Sequence, residues 1–215
     1  MDQKIIIKGR EFCYNPQELN YENAHIINVD VAQKNLLLFN EVAKTNNFKF
    51  ILFYGTLLGA IREKGFIKYD TDIDVVTTDE DKILDIIPQL QQKGFIFIRY
   101  YVQDHTIIYS LSKDNVYIDI YVAQKVGANK YYLCNSKFPK TFIINLKQIS
   151  FLGESFFIPA EYEKLFVLLY GKDWRIPKKN CPAYFHKNPI YSLADFFPKK
   201  WRNFVKKILR IKMEK

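Results

Sequence analysis

The spacing of apolar and polar positions in the first third of the chain predicts alternating helices and strands. Apolar residues recur near helical spacing after Asp30, which predicts a helix capped by Asp30 and ending near Asn46. The aromatic run at 48–53 (FKFILF) predicts a buried strand. A Gly-Thr turn at 55–56 then leads into a short helix over 57–63. Acidic and apolar residues alternate over 72–77, with the period of a strand.

The rest of the chain continues this order as far as residue 170. A helix is predicted from Asp79 to about Lys93, closed by Gly94, and strands are predicted at 95–102, 106–111, 116–122 and 155–159. Pro159 is expected to open a last helix that ends at Tyr170, because proline suits the first helical position. Residues 171–198 are expected to be rich in loops. The order predicts an α+β domain in which helices flank one mixed sheet.

The net charge of +9 is concentrated at the end of the chain. Residues 199–215 hold eight Lys or Arg and one acid, so the rest of the chain is nearly neutral and no nucleic-acid partner is expected. Five apolar residues fall on one helical face of this tail: Trp201, Phe204, Val205, Ile208 and Ile211. We expect a body at 1–197 and a basic amphipathic helix at 198–215. The helix would bind an anionic membrane surface or, alternatively, dock on the body.

Targeting signals and cysteines indicate the compartment. The chain shows no signal-peptide pattern and no apolar run long enough to span a bilayer. Cys13, Cys134 and Cys181 are widely separated and odd in number, which favours reduced thiols over disulfides or a zinc site. We expect a cytoplasmic protein, peripheral at the inner face of the membrane.

Three carboxylates in the segment KYDTDIDVV suggest a metal site. Asp70, Asp72 and Asp74 lie at alternate positions, so an extended segment would place all three on one face. Because neighbouring carboxylates repel one another, they require a compensating cation, and Mg²⁺ suits a few carboxylates combined with substrate phosphates. The alternative is a solvated acidic strand end.

Two further features strengthen the metal hypothesis. Asp119 stands alone in the apolar run NVYIDIYV, where it would act as a third metal ligand, as a base, or as one half of an ion pair with a neighbouring Lys or Arg. Gly55 and Thr56 lie between a buried strand and a helix, and the N-terminal N–H groups of that helix are open to a phosphate.

Longer stretches around these residues resemble a known family. Residues 54–74 (YGTLLGAIREKGFIKYDTDID), the segment around Asp119, and residues 158–177 (IPAEYEKLFVLLYGKDWRIP) resemble LicD-type phosphotransferases, which include phosphocholine transferases and fukutin-related proteins. The resemblance implies a nucleotidyltransferase fold. The sequence departs from the family pattern where Lys68-Tyr69 replaces Pro-Trp and where Thr71 replaces an Asp.

The resemblance also implies an activity. A CDP-activated alcohol, such as CDP-choline or CDP-glycerol, would donate a phospho-alcohol to a sugar hydroxyl of a cell-surface glycan, including a lipid-linked one, with Mg²⁺ or Mn²⁺ as cofactor. In this scheme the metal ligands and catalytic residues are Asp72, Asp74 and Asp119, and the donor-binding residues are Gly55, Thr56, Arg62 and Asp70. Asp70 would alternatively hold the turn. Two other functions remain open: transfer of a nucleoside monophosphate to RNA or a small molecule, and a degenerate scaffold at the membrane surface.

Overall fold

The computed structural model describes residues 3–17, 26–134 and 136–177. The chain divides into two compact units, Met1–Leu165 and Phe166–Lys215. In the second unit, the ring of Phe166 lies 5.9 Å from that of Tyr170 and 4.7 Å from that of Trp174. No helix within the described ranges is both long and apolar enough to cross a bilayer.

The described residues form twelve strands and five helices. The strands are β1 (Gln3–Ile7), β2 (Arg10–Tyr14), β3 (Ile51–Leu52), β4 (Ile73–Thr77), β5 (Ile96–Gln103), β6 (Thr106–Lys113), β7 (Val116–Val122), β8 (Gln124–Val126), β9 (Lys130–Leu133), β10 (Ser136–Pro139), β11 (Leu146–Phe151) and β12 (Glu154–Pro159). The helices are α1 (Val29–Thr45), α2 (Tyr54–Arg62), α3 (Glu80–Gln92), α4 (Thr141–Ile144) and α5 (Tyr162–Tyr170).

Seven strands form the central mixed sheet in the order β11-β12-β3-β4-β7-β6-β5. The β12–β3 and β4–β7 pairs are parallel, and the other neighbours are antiparallel. Tyr109 points away from the side of the sheet on which Ser110 lies, and its hydroxyl donates to Glu80 of α3. Helix α3 therefore covers the face opposite to Ser110. This architecture confirms the predicted α+β class.

Strands β5 to β7 and helix α3 agree closely with the sequence prediction. Asp79 caps α3 by accepting from the backbone N–H of Lys82, and Gly94 follows the helix with a φ of +89°. The prediction for α1 was wrong in its cap. The side chain of Asn28 accepts from the N–H groups of Asp30 and Val31, so Asp30 lies within the first turn, where its charge suits the helix dipole.

The aromatic run at 48–53 is buried as predicted, but only Ile51 and Leu52 form a strand. The N–H of Phe48 donates to the carbonyl of Ala43 at the end of α1 instead of to a neighbouring strand. The ring of Phe50 lies 5.0 Å from that of Phe39 on α1. Contacts with α1 therefore take this segment out of the ladder before β3 begins.

Two other boundaries differ from the predictions. Helix α2 begins at Tyr54, so Gly55 and Thr56 lie in its first turn instead of in a turn before it. Pro159 does not open α5, because it is the last residue of β12 and pairs with Leu146 of β11. A proline is tolerated at the end of a strand, where its missing N–H interrupts no further pairing.

Several elements were not predicted. They are the β1–β2 hairpin, the three-stranded sheet β10-β9-β8, the short helix α4 and strand β11. Their sequences are only three to six residues long, which is too short for a hydrophobic period to identify them. Cys13 and Cys134 are free thiols, whereas Cys181, residues 178–198 and the predicted helix at 198–215 lie outside the described residues.

Candidate active site

Four strands of the central sheet carry a row of polar side chains across one face. Asp74 of β4 is in register with Asp119 of β7, Asp119 with Ser110 of β6, and Ser110 with Arg99 of β5. Residues in register on adjacent strands lie on the same face, with backbones about 4.8 Å apart. We call Asp74, Asp119, Ser110 and Arg99 the polar row. It places the two predicted acidic strands side by side.

Helix α2 is attached to the polar row at its N-terminus. The N–H of Gly55 donates to Oδ2 of Asp74 at 3.3 Å, and the N–H of Asp74 donates to Oγ1 of Thr56 at 2.9 Å. Thr56 has no exposed surface, so its hydroxyl holds Asp74 instead of facing solvent. Tyr54, the first residue of the helix, has a φ of +40°. The predicted Gly-Thr feature and the predicted carboxylate strand thus form one unit.

Asp70 lies against the first turn of α2. A Cβ atom on Gly55 would be 2.8 Å from Oδ1 of Asp70, which explains why this position has no side chain. Oδ2 of Asp70 is buried and has no hydrogen-bond partner in the described part of the chain. Burial raises the pKa of Asp70 to about 7. The structure therefore shows Asp70 next to the predicted phosphate cradle, with one buried oxygen that has no hydrogen-bond partner among the described residues.

The carboxylates of the site are destabilised in their charged forms. Burial raises the pKa of Asp72 and of Asp74 well above the usual range, and repulsion from neighbouring carboxylates raises both further. Asp70 and Asp119 act on Asp72, while Asp72, Asp70 and Asp119 act on Asp74. This mutual repulsion is the condition under which a bound cation would be stabilising.

Asp119 is held by three other side chains. Its Oδ2 accepts from Nη2 of Arg99 at 2.6 Å and from the hydroxyl of Tyr121 at 3.5 Å, and its Oδ1 accepts from Oγ of Ser110 at 2.5 Å. Burial raises the pKa of Asp119, and the charge of Arg99 opposes that effect. The sequence left open whether Asp119 serves the carboxylate site or an ion pair. It is ion-paired with Arg99 and also adjacent to Asp74.

The donor set suits magnesium chemically, but it does not form a closed cage. Within 3–17, 26–134 and 136–177, no three His, Cys, Asp or Glu side chains are arranged to hold a metal by themselves. Asp72 repels Asp74, the buried Oδ2 of Asp70 has no partner among these residues, and both oxygens of Asp119 already accept hydrogen bonds. A cation would therefore be held mainly by Asp72 and Asp74, with substrate oxygens completing its ligands, as Mg²⁺ commonly prefers.

Arg62, predicted to bind the donor, lies at the other end of α2. Its Nε donates to Oε1 of Glu63 at 2.7 Å. It lies six positions after Thr56, which is about 9 Å along a helix axis. Its role in donor binding stays a prediction.

Sequence reasoning missed several residues of the site. Arg99 and Ser110 belong to the polar row, and Tyr121 contacts Asp119 while its ring packs edge-on against Tyr54 at 5.4 Å. The available signals were an arginine in the strand IFIRYY and a serine in IIYSL. Burial raises the pKa of the nearby Cys134 to about 12, so it remains a thiol at neutral pH.

A family model matches the part of the chain that carries the site, and two curated relatives are similar to about half of the chain. A family model described as LicD/FKTN/FKRP, nucleotidyltransferase domain, matches residues 47–161, which is more than half of the chain. An uncharacterized protein of Rickettsia prowazekii (strain Madrid E) is 33% identical over 109 residues, covering 48% of this chain and 38% of its own length. One of Rickettsia typhi (strain ATCC VR-144 / Wilmington) is 31% identical over 105 residues, covering 48% and 32%. The match thus spans about a third of these curated relatives.

Solved structures of an antibiotic-resistance factor are similar over most of the chain. The solution structure of ANT(2'')-Ia has a TM-score of 0.49 at 13% identity and covers 87% of this chain and 95% of its own. The crystal structure of ANT(2'')-Ia in complex with adenylyl-2''-tobramycin has a TM-score of 0.46 at 11% identity and covers 84% and 98%.

Proposed function

The chain belongs to the LicD/FKTN/FKRP family of nucleotidyltransferase domains, and we propose that it transfers a phospho-alcohol from a CDP-activated donor to a sugar hydroxyl of a cell-surface glycan. The family supports a transferase. The donor class, the glycan acceptor and the dependence on Mg²⁺ or Mn²⁺ are our proposal.

The juxtaposition of Asp74 and Asp119 beside the start of α2 carries this proposal. The two carboxylates are in register on adjacent parallel strands, and Asp74 is bonded to the first turn of α2 through Gly55 and Thr56. Transfer at a phosphate requires neutralisation of charge, positioning of the phosphates and removal of a proton from the attacking hydroxyl. Carboxylates and a helix N-terminus within one small region meet those needs.

The proposed reaction is a single displacement at phosphorus. The acceptor hydroxyl oxygen forms a bond to the phosphorus that bears the alcohol, the bond from that phosphorus to the bridging oxygen breaks, and CMP leaves with the electron pair. The hydroxyl proton passes to Asp119, whose raised pKa brings it closer to neutral pH. A Mg²⁺ ion bound at Asp72 and Asp74 would supply positive charge to the phosphate oxygens.

The remaining residues would bind the donor. The missing side chain at Gly55 lets the carboxylate of Asp70 lie against the first turn of α2, where the donor phosphates would bind. Oδ2 of Asp70 would accept a hydrogen bond from the donor, and Arg62 would pair with a phosphate after leaving Glu63. We place the protein in the cytoplasm at the inner face of the membrane, where residues 199–215 would bind anionic lipid. No nucleic-acid partner is part of the proposal.

The direct test is product identification by mass spectrometry. The full-length protein is incubated with Mg²⁺, a panel of CDP-alcohols, and either soluble or lipid-linked glycans. A gain of the phospho-alcohol mass together with CMP release supports the proposal. A gain of nucleotide mass in a parallel reaction with nucleoside triphosphates would instead assign nucleotidyl transfer, and an absence of turnover with every donor would favour the scaffold.

Isosteric variants test the assigned residues. We expect Asp74→Asn to lower turnover by at least about 100-fold, and Asp119→Asn to lower kcat by about 10²–10⁴-fold, which is the usual contribution of a general base. Asp104→Asn is the matched control, because Asp104 is exposed on the turn between β5 and β6. Near-normal turnover of Asp74→Asn at saturating Mg²⁺ would contradict the metal assignment.

A further inference from the structure

We propose that Arg99 is a positioning residue of the active site, which holds Asp119 in place and balances the charge of the carboxylates. This inference rests on the proposed function, since it assigns a role beside the same site. Arg99 lies outside every stretch that pointed to chemistry in the sequence.

The geometry of Arg99 is that of a clamp on Asp119. Its Nη2 donates to Oδ2 of Asp119 at 2.6 Å, and its Nε donates to Oγ of Ser110 at 2.9 Å. Ser110 in turn donates to Oδ1 of Asp119. The guanidinium therefore acts on one carboxylate oxygen directly and on the other through Ser110. This arrangement fixes the rotation of the carboxylate as well as its charge.

A β-bulge brings Arg99 into the polar row. Phe97 pairs with Leu111 and Arg99 pairs with Ser110, so Ile98 is an extra residue on β5. In a regular ladder Ile98 would face Ser110, and Arg99 would face Tyr109 on the other side of the sheet. The N–H groups of Asn15 and Gln17 donate to the carbonyls of Phe97 and Ile98, which holds the irregular backbone from outside. Bulges commonly re-aim a side chain beside an active site.

The ion pair between Arg99 and Asp119 is largely shielded from solvent. Asp119 has no exposed surface, and the side chain of Arg99 is 17% exposed. Asp119 is in register with the proposed metal ligand Asp74 on the adjacent strand, and Arg99 bonds directly to Asp119. The positive charge of Arg99 thus acts on the proposed metal ligands as well as on its direct partner. Its removal would change both the orientation of Asp119 and the attraction of the site for a cation.

The test compares Arg99→Lys, Arg99→Met and the matched control Arg10→Met in the full-length protein. Arg10 forms a similar arginine–aspartate pair with Asp85 on an exposed surface. We expect Arg99→Met to lower kcat by about 10–100-fold with little change in the KM of the donor, as for residues that orient a catalytic group. Arg99→Lys keeps the charge but loses the planar fork, so its kcat should lie between those of Arg99→Met and the wild type.

Binding of Mn²⁺ to the protein without substrate gives a second measurement. At pH 8 and low salt, loss of one positive charge beside the carboxylates should tighten Mn²⁺ binding by about 10-fold in Arg99→Met, and by little in Arg99→Lys or Arg10→Met. If Arg99→Met does not fold, Arg99→Lys alone decides. A lysine variant with wild-type kcat would overturn the positioning role.

The two measurements separate the inference from the proposed function. A wild-type protein that transfers no phospho-alcohol, but whose Mn²⁺ affinity responds to Arg99 as described, would refute the proposed function and support the charge-balancing role. An active wild type whose Arg99→Met variant keeps its kcat and its Mn²⁺ affinity would refute the inference alone. Loss of thermal stability with unchanged kcat would show that Arg99 is only structural.

Discussion

Asp70 should make the metal-free protein less stable as the pH rises. Its pKa is raised from 3.8 to about 7, chiefly by burial. Between these two values the folded state holds a proton that the unfolded state has lost. The contribution of protonated Asp70 to the free energy of unfolding is therefore fully present below about pH 4 and is lost progressively up to about pH 7. Asp70→Asn removes this ionisation while keeping the shape of the side chain.

The expected size follows from the difference between the two pKa values. About 3 pH units at about 1.4 kcal/mol each set an upper limit of about 4 kcal/mol. Because charges in proteins are screened more strongly than burial alone implies, we expect about half of that limit, or about 2 kcal/mol. For a chain of this length, about 2 kcal/mol corresponds to a difference of about 4–8 °C in Tm.

The assay is thermal unfolding from pH 4 to pH 8 in buffer with EDTA. At pH 4 the wild type and Asp70→Asn should have similar Tm values, and at pH 8 the variant should be more stable by the amount above. Some decline should persist in the variant, since burial also raises the pKa of Asp72 and Asp74. Asp104→Asn, at an exposed turn, should follow the wild type. A constant difference in Tm between Asp70→Asn and the wild type at every pH would show that the ionisation of Asp70 does not affect stability.

Three further predictions concern the packing of α2 and the carboxylates. Gly59→Ala should lower the free energy of unfolding in urea by about 1–3 kcal/mol, because its Cβ would lie 2.5 Å from the carbonyl oxygen of Gly65. The control Gly65→Ala should be nearly neutral, and equal losses in the two variants would contradict the close approach at Gly59. Thr56→Val should lower the free energy of unfolding by about 1–3 kcal/mol, because it leaves the N–H of Asp74 without an acceptor. Thr56→Ser restores the hydroxyl and should retain most of the wild-type stability. A serine variant as unstable as the valine variant would show that the methyl group of Thr56 matters instead. Mg²⁺ at ten times its Kd should stabilise the wild type by about 1.4 kcal/mol at pH 7.5 and should have little effect on Asp72→Asn, with calorimetry as the measurement.

Local signals in the sequence account for much of the sheet and for α3. The period of two in β6 and β7, the cap at Asp79 and the glycine at 94 act within a few residues, so they can be read without knowing the fold. The boundaries around α2 could not be read in this way. Its start at Tyr54 is tied to bonds between Gly55, Thr56 and Asp74, which are about twenty positions apart in the chain.

The candidate site likewise has features that local sequence signals identify and features that depend on the fold. Asp72, Asp74 and Asp119 were identifiable because charge in an apolar run is expensive to bury without a reason, and the surrounding motifs resemble a family. Their proximity depends on the order of strands, which pairs β4 with β7 although two other strands and a helix separate them along the chain. Nothing local specifies that crossover.

Residue type and local period are enough to predict the class of fold, the acidic strands and the chemistry that those strands suggest. The position of Arg99 in the polar row depends instead on strand pairing, since one extra residue on β5 changes which side chain faces Ser110. Tertiary packing also places Asp70 against Gly55 and lets the hydroxyl of Thr56 accept a hydrogen bond from the N–H of Asp74. These contacts join segments that are distant along the chain, and the free energy of burying them together exists only once the sheet has formed.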